Sequence, residues 1–173
     1  MTSSLLAHLL VVVFPIGVIV AALADATSFT IPNRLTIAIA AAFFPVALIL
    51  GLPIATIGAC AAVAVLALIV GIGMFAMNWC GGGDAKLLAA CALWLGVPAI
   101  LPFLFAMSVI GGVLALGLMT ARKLMLGNLV GAGPAWLGRL LEPQEALPYG
   151  VAIALGALVA FPSSPVLAAL GGH

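Results

Sequence analysis

Charge is what this sequence has least of. Its 173 residues include five Lys or Arg and four Asp or Glu, 5% of the chain, where a soluble domain carries about a quarter. With 66% hydrophobic residues and a mean hydropathy of +1.45, no water-facing surface can be built. The sequence therefore predicts an all-α fold, a polytopic integral membrane helix bundle. No basic tract is present to grip phosphates, and a net charge of +1 leaves no electrostatic footprint, so nucleic acid is excluded as a partner. Histidine and cysteine are scarce too. Cys60, Cys80 and Cys91 form no Cys-x-x-Cys pair, and His8 and His173 sit at opposite ends. The close ligand spacing of a zinc site is missing, so neither metal nor cofactor is expected. Cys60 and Cys91 lie in apolar runs and read as small packing residues.

Apolar runs, by contrast, are abundant. A membrane-crossing helix takes about 20 mostly apolar residues, and residues 5–24, 35–52 and 54–77 each supply one. Residues 1–4 carry no Lys or Arg, so the first run reads as a retained span, not a signal peptide. Residues 85–121 are too long for one span, and Pro98 and Pro102 fall near their middle. A division there predicts helices at about 85–97 and 100–121. Residues 147–170 form the last, making about six spans in a single domain covering 1–173. With the N-terminus outside, the loops 25–34, 78–86 and 122–146 fall on one side. They hold Arg34, Lys86, Arg122, Lys123 and Arg139, every basic residue of the chain. The positive-inside pattern makes that side cytoplasmic. Within the last loop, residues 136–142 suit either a surface-lying amphipathic segment or a solvated loop.

Of the four acidic residues, Glu142 and Glu145 lie in the long polar loop. Asp25 closes the first span and Asp84 opens the fourth, both at the predicted cytoplasmic edge. Each has a structural reading. Asp84, ahead of Ala85-Lys86-Leu87-Leu88, is a good helix N-cap, and Asp25 can simply end a span. Together they suggest chemistry. Close carboxylates share a proton and titrate as a pair, one available as base and the other as acid, which is the logic of aspartic proteases. The run Trp79-Cys80-Gly81-Gly82-Gly83-Asp84 fits this, since glycines at 81 and 83 let an extended peptide approach Asp84. A phosphate loop needs Lys where Asp84 stands, so that reading fails. The pair also suits a proton relay in a small transporter or assembly subunit. Such residues usually sit at mid-bilayer on broken helices, not at span ends.

Three blocks of sequence carry a resemblance. Gly81-x-Gly83-Asp84 with Ala85-Lys86-Leu87-Leu88 resembles the GxGD block of type IV prepilin peptidases. Asp25, six positions before Ile31-Pro32-Asn33, resembles that family's other aspartate block. Pro148-Tyr149-Gly150-Val151-Ala152-Ile153-Ala154 is similar to a stretch near the end of its short members. The resemblance implies a bacterial inner-membrane aspartyl endopeptidase that cuts the leader from prepilin or pseudopilin precursors at the cytoplasmic face. Asp25 and Asp84 match its catalytic aspartates, and Gly81 and Gly83 would shape the substrate's approach. The loop after Asp25 is too short for the methyltransferase insertion of bifunctional members, so the chain resembles the short peptidases of Flp-type pilus systems. Lys86 and Arg34 read as positive-inside anchors, and Pro32-Asn33 as the turn into the second helix. The residues leave the oligomeric state open.

Overall fold

The computed structural model describes residues 10–124, 141 and 147–171, and among these there is no strand. Five helices and a short sixth follow in order: α1 (Val13–Ser28), α2 (Asn33–Ile49), α3 (Ile54–Ala76), α4 (Gly82–Lys123), α5 (Tyr149–Ala160) and α6 (Pro165–Leu170). A single 3₁₀ turn, Phe161–Ser163, joins the last two. Residues 136–140 and Glu142, Glu145, His8 and His173 lie outside the described residues.

Local chemistry sets the boundaries. Pro32 and Pro53 precede α2 and α3, and Pro165 opens α6, positions where a missing N–H costs nothing. At its C-terminus α1 stops when Phe29 turns left-handed (φ 53°) and its N–H donates to the Asp25 carbonyl at 2.9 Å. Asn78 (φ 59°) follows α3 in the same region, which Asn tolerates better than most residues. By length and apolarity α3, α4 and the Tyr149–Leu170 run can each cross a bilayer, while α1 and α2 are shorter apolar helices.

The two helices expected at 85–97 and 100–121 are one helical run broken at Gly96 (φ 58°, ψ −169°). That backbone conformation is essentially reserved for glycine. A straight helix rising 1.5 Å per residue would separate positions 84 and 111 by about 40 Å. Tyr149 denies that: its ring lies against Gly111, while its neighbour Gly150 bonds to Asp25. Other contacts settle the directions. Asn33 meets Lys86 and Ile39 meets Trp94, so α2 runs parallel to residues 82–95. Gly150 meets Asp25 and Phe161 meets Phe14, so α5 opposes α1. Gly17 faces Ile39, so α1 opposes α2. Gly111 meets Tyr149 and Gly156 meets Met107, so residues 97–123 oppose α5. The chain therefore reverses at Gly96. The break falls two residues before Pro98 because the proline belongs in the first turn of the returning arm, and glycine takes the strained angles.

Lipid supplies no hydrophobic drive between helices, so close packing and small residues hold such bundles together. At Gly156 a Cβ would sit 2.8 Å from the Met107 backbone, and at Gly71 2.9 Å from Ala85. The bundle centre is aromatic: Trp94 stacks on Phe14 at 5.1 Å and meets Phe43 edge-on at 5.7 Å. Its indole N–H donates to the Ile39 carbonyl at 2.8 Å, a necessary partner where water is absent. Outward, Leu23, Ile69, Leu101, Phe105 and Leu116 are exposed, a surface suited to lipid and not to water.

Candidate active site

Both predicted aspartates come to the same end of the bundle. Asp25 occupies the last turn of α1 and is 5% exposed. A buried carboxylate needs a donor, and it has one: Oδ2 accepts the N–H of Gly150 at 2.7 Å. Gly150 is the second residue of α5, whose unsatisfied amides and positive dipole end point at the carboxylate. No larger residue fits there. A Cβ on Gly150 would lie 2.7 Å from Asp25 Oδ2 and 2.8 Å from Ile31.

Asp84 stands at the third position of α4, not at the cap as expected. Gly81 is the N-cap, and Asp84 Oδ2 accepts its N–H at 3.2 Å. The carboxylate thus supplies the side-chain half of a capping box, because Gly82 and Gly83 already take helical angles ahead of it. Gly81 is exposed, whereas a Cβ on Gly83 would press on Ile31 at 3.2 Å. The GxGD and Ile-Pro-Asn blocks therefore meet directly at Gly83 and Ile31.

An open pocket of about 240 Å³ lies between them, lined by Asp25, Phe29, Thr30, Ile31, Gly81, Gly82, Gly83 and Asp84. It brings together all four residues singled out from the sequence. The charge of Asp25 acts on Asp84, and like charges in one pocket disfavour double ionisation. Beside them in the loop, burial and the charge of Asp84 raise the Cys80 pKa, so it stays a thiol and not a nucleophilic thiolate. Its Sγ faces the Gly71 carbonyl at 3.8 Å. Among the described residues no three His, Cys, Asp or Glu side chains gather as metal ligands.

Two contacts were not legible beforehand. Gly150 lies 125 positions from Asp25, and its role was hidden in an apolar helix start; the Pro-Tyr-Gly block was its one signal. Lys86 Nζ donates to Asn33 Oδ1 at 2.8 Å, tying two residues read as an anchor and a turn. Arg34 is exposed next to Asn33.

A family model described as the type IV leader peptidase family matches residues 12–116. That stretch is well over half of the chain and contains Asp25, Ile31-Pro32-Asn33 and Gly81 to Asp84, but stops short of Gly150. No curated protein and no solved structure matches the chain.

Proposed function

The chain belongs to the type IV leader peptidase family, and we propose that it is an aspartic endopeptidase of the bacterial inner membrane that removes the short leader from Flp-type prepilins or pseudopilins at the cytoplasmic face. One observation carries the reading: two carboxylates 59 positions apart in sequence share one pocket at a helix-bundle end. Asp25 and Asp84 are the proposed catalytic pair. With one proton between them, the protonated carboxyl polarises the scissile carbonyl while the ionised one takes a proton from a water. The water oxygen adds to the carbonyl carbon, and the acquired proton then goes to the leaving amide nitrogen. The substrate peptide enters over Gly81, and no side chain at 81–83 obstructs it.

Placement supports the same conclusion. A leader cut just ahead of an apolar helix demands a site at the membrane edge, because that helix lies in the bilayer. The returning arm of α4 continues past Tyr149 toward Arg122 and Lys123, on the Asp side, and Arg34 and Lys86 lie there too. That distribution supports a cytoplasmic location for the pocket. The whole chain serves as one peptidase domain, without methyltransferase activity.

The test is reconstitution of the full chain in vesicles with a prepilin-type precursor, with mass spectrometry of the products. Cleavage at the junction between leader and apolar helix is expected. Absence of cleavage, together with proton flux across the same vesicles, would favour a relay and overturn the peptidase.

A further inference from the structure

Asp25 and Asp84 sit on helices that touch each other little: α1 packs on α2 and α5, and α4 on α3, α5 and α2. Their separation is therefore set indirectly, through α5, whose Gly150 N–H holds Asp25, and through the segment that follows Asp25. The turn carrying Asp84 starts from a loop in which Asn78, Trp79 and Gly81 are exposed and Cys80 is half-buried. Two links fasten it to Ile31 and to the start of α2. One is the apposition of Gly83 and Ile31, both of which line the pocket. The other is the 2.8 Å hydrogen bond from Lys86 Nζ to Asn33 Oδ1.

The second link has no obvious structural purpose. Both residues are exposed, and a bond between exposed polar groups adds little to stability. A lysine at a membrane edge ordinarily extends its ammonium to water. Here the ammonium is directed to the first residue of α2, and it joins the positions two after Asp84 and two after Ile31. The pair also lies at one end of an apolar groove of about 390 Å³, whose walls include Thr36, Ala40, Ala64 and Leu68.

We infer that Lys86 and Asn33 are a positioning pair, whose hydrogen bond fixes the Asp84 turn against the Asp25 segment and so sets the geometry of the carboxylate pair. Neither residue touches the reacting atoms. The inference rests on the peptidase reading, and its function is geometric, so it shows in the rate and not in folding or substrate binding. Misplacing a catalytic group by about 1 Å can cost about a hundredfold in rate, far more than such a bond contributes to stability.

The experiment is a double-mutant cycle on the full chain in vesicles, with kcat and KM for precursor cleavage and thermal unfolding midpoints in detergent. Lys86→Met and Asn33→Ala should each lower kcat by about tenfold, with KM within about twofold and the midpoint nearly unmoved. The double variant should be no slower than the slower single one, because both remove the same bond. Lys86→Arg, which keeps a donor, should recover most of the rate. Multiplying effects, a raised KM with kcat kept, or an unchanged kcat would each overturn the pair while leaving the peptidase intact. A wild-type chain that cuts no precursor would overturn both.

Discussion

The two ends of this bundle are both built around glycines that no other residue can replace, yet they do opposite things. At the pocket end, Gly150 makes room beside a carboxylate and donates its N–H to it. At the other end, Gly96 turns the chain back with positive φ, and a Cβ there would lie 2.7 Å from Cys60 Sγ and 3.2 Å from Pro165. The first surrounds a polar, open pocket; the second is buried among apolar neighbours. One glycine serves the placement of a charge, the other the path of the chain. The conspicuous run Gly81-Gly82-Gly83 is less demanding, since its members take helical or extended angles open to any residue.

Substitutions can break that contrast. Gly150→Ala should have the largest effect on turnover. Its methyl displaces Asp25 and meets Ile31, so cleavage should fall about a hundredfold or more, while the detergent unfolding midpoint drops less than for Gly96→Ala. Gly96→Ala should do the reverse, costing about 3 kcal/mol of stability through strain and overlap, measurable as a lowered midpoint. Its surviving folded fraction should still cleave. A smaller loss, about 1 kcal/mol, is expected for Trp94→Phe, which leaves the Ile39 carbonyl without its indole donor. The smallest cost belongs to Gly112→Ala, where a Cβ meets nothing within 4 Å; the better helix propensity of alanine should leave the midpoint unchanged or slightly raised. Gly111→Ala, one position earlier, collides with Tyr149 at 2.8 Å and should be clearly worse than its neighbour. If Gly150→Ala and Gly96→Ala reduced stability and rate alike, the division of labour between the ends would be wrong.

Much of this was legible in the sequence because membrane solvation is unforgiving. Near-absence of charge required a helix bundle, and the few basic residues marked one edge. Two aspartates at span ends on that edge predicted a shared site, and the pocket brings them together. What stayed hidden depended on contacts between distant segments. Prolines 98 and 102 signalled a division, but a proline marks where a helix can begin, whereas the strained angles fell to Gly96, one glycine among 20. Asp84 looked like a cap because carboxylates favour first turns; which first-turn position it took depended on Gly82 and Gly83 adopting helical angles. The hydrogen bonds from Gly150 to Asp25 and from Lys86 to Asn33 span 125 and 53 positions, and no local pattern announces either.

The central claim is that Asp25 and Asp84 act as one catalytic pair. Its most direct measurement is the single-turnover rate of prepilin cleavage for Asp25→Asn, Asp84→Asn and the double variant, in vesicles. Residues acting as a unit are strongly non-additive. The pair predicts that each single change lowers the rate by about 10⁴-fold or more and that the double variant is no slower than either. Cleavage persisting at near wild-type rate in either single variant would contradict it.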